Sequence, residues 1–318
     1  MTRVLVALGG NALQRAAGAG SWEEAVRQLD GTIRSLASVV TEGHQLILTH
    51  GNGPQIGALL RQNELALREV PARPMYVLGA ETQGQIGYLI QQELSPALKR
   101  AGVPRTVIVL VSRMEVSPRD PAFKHPTKPV GRFYSDAEAR LLRKREGWVL
   151  QFDGPRGGWR RVVPSPNPLR WLEAGPIQKL LNSSWGHVVI PIVAGGGGIP
   201  VVRHAGNRFE GVEAVIDKDL AAVVVARELS VETLAIVTDV PGVAVGFRKP
   251  WERWLGEVSL SEIEKFQRQH EFGEGSMSPK IEAARRFMKN GGSRVLITDI
   301  PSLGRALRNE AGTRIVQD

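Results

Sequence analysis

The chain has 318 residues, 42% hydrophobic and 23% charged, the balance of a globular protein long enough to bury a large core in one or two domains. It contains no cysteine, which excludes disulfides, thiolate metal sites and cysteine nucleophiles. The net charge of +9 invites a nucleic-acid reading, but the densest basic groups, Arg140 to Arg145 and Arg156 to Arg161, are short and carry no aromatic-rich stripe, so no nucleic-acid partner is expected.

No basic leader precedes the first apolar run, and the longest apolar stretch, Val188 to Val202, is broken by four glycines and two prolines. A cytoplasmic protein without a membrane partner is therefore expected. The six histidines are scattered without metal-ligand spacing, so no protein-held metal is expected.

In chain order, Val4 to Leu8 is a short apolar run ending at Gly9-Gly10-Asn11, the pattern of a buried parallel strand with an open tip. A helix is predicted from Trp22 to Thr41, with Ser21 as N-cap, Glu23 and Glu24 in the first turn, and Leu29, Ile33, Leu36 and Val40 on one face. Leu46 to His50 is a second strand, running into Gly51-Asn52-Gly53. Pro54 then suits the first turn of another helix. A helix from about Glu81 to Arg100 and a strand from Val107 to Val111 follow.

Residues 117–175 differ in kind. Prolines crowd there with glycines and tryptophans, while Trp148, Leu150, Val162 and Val163 argue against disorder. A small antiparallel subdomain projecting over a cleft is expected. Val188 to Val193 then leads to Gly195–Gly198. Val212 to Ile216 reads as a strand before Asp217-Lys218-Asp219, which opens a helix. Leu234 to Thr238 reads as a strand, Pro279 to Lys289 as a helix, and Val295 to Ile297 as the last strand. This alternation predicts an α/β fold with a mainly parallel sheet. Two lobes are expected, 1–211 (with the protruding subdomain) and 212–318.

Three glycine-rich strand ends offer backbone N–H donors to an anion, as nests and helix N-termini do, although tight turns alone would also use glycine. Gly9-Gly10-Asn11 lacks the dinucleotide spacing, and no Walker motif is present. Lys128 stands between Pro126 and Pro129, either aimed by them or part of a rigid turn. Lys218 lies between two aspartates, as a solvated cap or as a phosphate ligand held by Asp217. Lys280 follows Gly275 to Pro279 at a helix start, either gripping phosphate or lying on the surface. His50 fits a core position at least as well as a substrate contact. Amide-lined loops and fixed lysines are what phosphoryl transfer needs, namely charge on the equatorial oxygens and in-line positioning.

Seven segments in this order then carry a resemblance across nearly the whole chain: Ala7-Leu-Gly-Gly-Asn-Ala12, Thr49-His-Gly-Asn-Gly-Pro-Gln55, Pro126-Thr-Lys-Pro-Val-Gly131, Arg160-Arg-Val-Val-Pro-Ser-Pro166, Gly195-Gly-Gly-Gly-Ile-Pro200, Glu213-Ala-Val-Ile-Asp-Lys-Asp219 and Gly275-Ser-Met-Ser-Pro-Lys280. The sequence resembles the carbamate kinases of the amino acid kinase family. The resemblance implies an open three-layer αβα sandwich, a homodimer, and reversible transfer from ATP to carbamate giving ADP and carbamoyl phosphate, assisted by Mg2+. By position it implies that Gly9, Gly10, Asn11, Gly51, Asn52 and Gly53 hold the carbamate and the moving phosphate, with Arg161 as a further substrate contact. Lys128 would reach the phosphoryl group from the lid, Lys218 would neutralise transition-state charge, and Asp217 would orient the lysines. Lys280 would bind the outer phosphates, with Thr238, Asp239 and Met277 near the nucleotide.

Ser278, where glycine is expected, and Arg132, often proline, depart from the pattern. A related kinase with another small carboxylate or phosphate acceptor would use the same groups. A regulatory nucleotide-binding protein would be expected to have lost Lys128 or Lys218, and both are present.

Overall fold

The structure is a computed structural model that describes residues 2–10, 13, 21–154, 157–272 and 277–318. Asn11 therefore lies outside the described residues. The chain begins with β1 (Arg3–Leu8), α1 (Trp22–Thr41), β2 (Gln45–His50), α2 (Gly53–Ala66), α3 (Met75–Arg100), β3 (Thr106–Val109) and β4 (Arg113–Val116). There follow β5 (Lys128–Tyr134), α4 (Asp136–Glu146), β6 (Leu150–Asp153), β7 (Gly158–Val163), β8 (Pro168–Trp171), α5 (Ala174–Asn182), β9 (Val189–Ile192), β10 (Ile199–Arg203) and β11 (Phe209–Gly211). The remainder is α6 (Lys218–Glu228), β12 (Thr233–Thr238), β13 (Val243–Val245), β14 (Arg253–Leu255), β15 (Glu257–Ser259), α7 (Leu260–Arg268), α8 (Met277–Lys289), β16 (Arg294–Asp299), α9 (Leu303–Leu307) and β17 (Thr313–Val316).

The central sheet runs β15-β17-β16-β12-β1-β2-β9-β3. It is parallel from β16 to β3, and only the β16–β17 pairing within it is antiparallel. Successive strand residues face opposite sides, and here both sides are covered. Leu5 and Ala7 of β1 join one core with α5, α6 and α8, while Val4, Val6 and Leu8 join the other with α1, α3 and α9. That is the three-layer sandwich, and it explains why the strands read as unbroken apolar runs.

Local signals place several elements well. Ser21 accepts from the Glu24 N–H at 3.2 Å and caps α1 over the expected span. Other boundaries are set by distant partners. Helix α3 starts at Met75, earlier than expected, because the Glu213 carboxylate accepts the Met75 N–H at 2.7 Å. Val212 to Ile216 is not a strand. Its donors go to separate elements, Val212 N to the Pro200 carbonyl at 3.1 Å and Val215 N to that of Pro164 at 2.9 Å, so no ladder forms. Nor is β16 the last strand, since β17 inserts between it and β15.

The protruding subdomain is the antiparallel sheet β5-β7-β6 with α4. It is smaller than residues 117–175, because β8 pairs with β4 in a separate sheet, β11-β10-β4-β8. Tyr134, Ala139 and Leu150 form its own small core, and Val130 and Val163 pack against Met75 with Leu60 at the edge.

Two helical glycines should respond oppositely to alanine. A Cβ on Gly87 would stand 2.3 Å from Val109 Cγ1, whereas one on the exposed Gly31 would meet nothing within 4 Å. Gly87→Ala is expected to cost about 1–3 kcal/mol by overpacking, and Gly31→Ala to stabilise by up to about 1 kcal/mol. Urea unfolding of the two variants checks both signs.

Candidate functional site

The ends of β1 and β2 lie side by side. Gly9 N donates to the Val237 carbonyl at 3.1 Å, and Gly51 N to that of Leu8 at 2.9 Å. Gly10, Gly51, Asn52 and Gly53 line a cleft of about 380 Å3. At its edge α2 begins with Pro54 in the first turn, so unpaired N–H groups and the positive end of the helix dipole face that side. Asn52 is the N-cap residue, but its side chain makes no capping hydrogen bond. Its amide donates to Thr82 Oγ1 at 2.9 Å.

The third glycine loop mainly supports the second. A Cβ at Gly195 would lie 2.5 Å from His50 Nε2, and one at Gly196 would lie 2.2 Å from Asn52 Nδ2. Only glycine allows so close an approach, and Gly196 also holds φ +65°. Of this loop Gly196 lines the cleft. His50 is buried, with Nδ1 2.9 Å from its neighbour's carbonyl oxygen at Gly51. It is a packing residue of the loop.

The cations gather on the other wall. Asp217 is the N-cap of α6, and its Oδ1 accepts from the N–H groups of Asp219 at 2.9 Å and Leu220 at 3.4 Å. Its Oδ2 accepts from Lys128 Nζ at 2.8 Å. Asp219, 3% exposed, takes the Lys218 ammonium on one oxygen and Lys280 Nζ on the other, the latter at 3.2 Å. Burial pulls the Lys218 ammonium below its usual range, an effect Asp219 opposes. Burial alone would raise the Asp217 carboxyl, but Lys128 helps hold it below the usual carboxylate range. The two carboxylates thus take the amino groups of three lysines within one cleft.

Lys128, Asp217, Lys218 and Lys280 are thus brought together with Gly10, Gly51, Asn52 and Gly53. From sequence, Asp217 is the orienting carboxylate for all the lysines; the structure divides that task, and Asp219 holds two of them. Its signal was its place in the first turn of α6 beside Lys218, which also reads as an ordinary helix-start carboxylate.

Arg161 lies elsewhere. It lines a larger neighbouring cleft of about 800 Å3 under the lid, its guanidinium 4.3 Å from the centre of the Trp148 ring. The adjacent Arg160 lines the lysine cleft and donates to the Gly131 carbonyl at 3.2 Å. Neighbours on a strand face opposite sides, so composition alone could not choose between them.

Gly9 sits just behind Gly10 against Val237, beside Thr238 at the end of β12. The Thr238 hydroxyl donates to Asp239 at 3.1 Å. Met277 begins α8, about one turn before Lys280. None of these four lines the lysine cleft itself. Ser278 falls in the first turn of α8, and Arg132 donates to Glu138 at 2.8 Å on the lid.

Comparison with known proteins shows the family. The sequence model of the Amino acid kinase family matches residues 2–299. The carbamate kinase of Pyrococcus horikoshii is 43% identical over 315 residues, 98% of this chain and 98% of that protein. The carbamate kinase of Thermococcus kodakarensis is 42% identical over the full length of both. Among solved structures, carbamate kinase from Giardia lamblia bound to AMP-PNP superposes with a TM-score of 0.91 at 39% identity, covering 100% of this chain and 99% of that one.

Burial lowers the His50 imidazole from 6.5 to about 4, so the folded protein resists its protonation while the unfolded chain does not. The stability this residue contributes is present above pH 6.5 and lost as pH falls through about 4, an effect of roughly 3 kcal/mol. Urea unfolding between pH 7 and 4 should show that decline, and His50→Gln should flatten it. An unchanged slope in the variant would refute the assignment.

Proposed function

This chain belongs to the amino acid kinase family and is a phosphotransferase of the carbamate kinase kind, and from that premise we propose how its cleft moves a phosphoryl group between adenine nucleotide and carbamate. Carbamate, or carbamoyl phosphate in the reverse direction, lies against Gly10, Gly51, Asn52 and Gly53 at the start of α2. The nucleotide lies toward Lys280, with Met277, Thr238 and Asp239 on its side. In lobe terms, residues 1–211 hold the acceptor and residues 212–318 the nucleotide.

In the direction of ATP formation, a terminal oxygen of ADP attacks the phosphorus of carbamoyl phosphate. One O–P bond forms, the O–P bond to the carbamoyl group breaks, and its electron pair leaves on carbamate. The attacking and leaving oxygens are both anionic, so no proton has to move and no general base is needed. The demand on the protein is charge and alignment. Lys128 meets the transferring group from the lid, Lys218 balances charge on its equatorial oxygens, and Lys280 holds the outer phosphates. The observation that carries this reading is the convergence of Lys128, Lys218 and Lys280 on Asp217 and Asp219 in one cleft beside the amide-lined loop at Gly51, Asn52 and Gly53. Such an arrangement presents lysine donors and backbone amides together to a phosphate.

Mg2+ belongs to the substrate in this reading. No group of three His, Asp or Glu side chains suited to a metal occurs among the described residues. All four oxygens of Asp217 and Asp219 already accept hydrogen bonds. The ion would enter on the nucleotide phosphates and neutralise part of their charge. We further propose a homodimer in the cytoplasm. Among the described residues, no helix is long and apolar enough to cross a membrane.

The deciding experiment is ATP formation from ADP and carbamoyl phosphate with Mg2+, with acetyl phosphate as competing donor. Fast turnover selective for the carbamoyl compound is expected, and equal use of acetyl phosphate would point to another acceptor. Lys218→Ala should lower kcat by about two to three orders of magnitude while the fold persists, because its charge acts in the transition state. Lys128→Ala should reduce turnover far more than it weakens ADP binding, measured by calorimetry. Parallel loss of both would contradict a role confined to the transferring group.

A further inference from the structure

The strand that brings Lys128 into the cleft is anchored at its far end to α2. Tyr134, the last residue of β5 and 3% exposed, donates from its hydroxyl to Glu64 Oε1 at 2.5 Å. Arg132 Nε stands 3.6 Å from Glu64 Oε2, and its guanidinium lies 4.2 Å from the centre of the Tyr134 ring. The register of β5 on β7 shifts between Val130 and Phe133, with Gly131 at φ +70°, which frees Arg132 from the ladder to reach the helix. Between these points the two elements touch closely, since a Cβ on Gly57 of α2 would lie 3.8 Å from the Gly131 Cα. Burial, with the Glu64 carboxylate, pushes the Tyr134 phenol up, so it remains a donor throughout the neutral range.

We propose that Glu64 is a positioning residue for phosphoryl transfer: through Tyr134 and Arg132 it fastens the lid to α2 and so sets where Lys128 stands. The inference rests on the role given above to Lys128. One helix then serves both ends of the device. Its first turn, at Gly53 and Pro54, borders the cleft, and Glu64 lies about 16 Å further along it, at 1.5 Å per residue. At the inner end the lid is held by Lys128 and Asp217, a bond that must be exchanged when phosphate arrives. The outer anchor, with the apolar contact of Val130 and Val163 on Met75, can persist while Lys128 changes partners. A hydrogen bond to a charged group at this site is strong enough to shift a lid equilibrium about tenfold or more.

The test compares Glu64→Ala, Glu64→Gln and Tyr134→Phe in the full chain, each also combined with Lys128→Ala. Glu64→Ala and Tyr134→Phe are expected to lower kcat about tenfold with the Kd for ADP unchanged. Glu64→Gln, which keeps an acceptor for Tyr134, should recover most of that loss. In the Lys128→Ala background the Glu64 and Tyr134 changes should cost nothing further, because residues acting as one unit are not additive. Trypsin should also cut faster at Arg140, Arg143, Lys144 and Arg145 of α4 when the anchor is gone. The proposal is overturned if the Glu64 and Tyr134 losses are equal in both backgrounds. It is equally overturned if Lys128→Ala fails while Glu64→Ala and Tyr134→Phe turn over normally and resist trypsin like the parent. Normal turnover by Lys128→Ala would overturn the role of Lys128 first, and the anchor with it.

Discussion

Three lysine amino groups converge in one cleft, and among the described residues two carboxylates stand between them. Asp217 takes Lys128, and Asp219 takes Lys218 and Lys280. The rest of the site depends on this arrangement. It opposes the effect of burial on the Lys218 ammonium and fixes the lysine stems before any ligand arrives. Apart from the exchange at Lys128, donors held in this way are already in place before a ligand arrives, which is the physical content of electrostatic preorganisation.

The sheet makes that arrangement possible. Strands β1, β2, β9 and β12 are parallel, so their carboxyl ends open at the same edge, where ligands of open α/β sheets bind. Because helices cover both faces, the loops at that edge rest on rigid supports. The pressing of Gly195 and Gly196 onto His50 and Asn52 shows how tightly one loop sets the next. The lid stands apart from that core. It has a small core of its own, meets the body largely through α2 and Met75, and brings Lys128 and Arg160 to the cleft. That division suits a part that moves as a unit relative to the sheet.

The sequence by itself determined what local chemistry controls. Apolar runs stopping at glycine specify buried parallel strands, and Ser21 with Glu24 specifies the start of α1. Pro54, Asp217 and Pro279 mark the helix starts that border the cleft. These are properties of a few neighbouring residues, so they can be read without the fold. The glycine loops and the lysines were legible as well, because their residue types carry their chemistry wherever they stand.

Tertiary structure decided the partners. Glu213 lengthens α3 from 138 residues away in sequence, and β17 slips between β15 and β16. Asp219 rather than Asp217 receives two of the lysines, and Arg160 rather than Arg161 faces them. Each of these depends on which strand end or helix turn arrives beside another. A carboxylate's partner and an arginine's face are fixed by register and packing over long distances, and no local pattern encodes them.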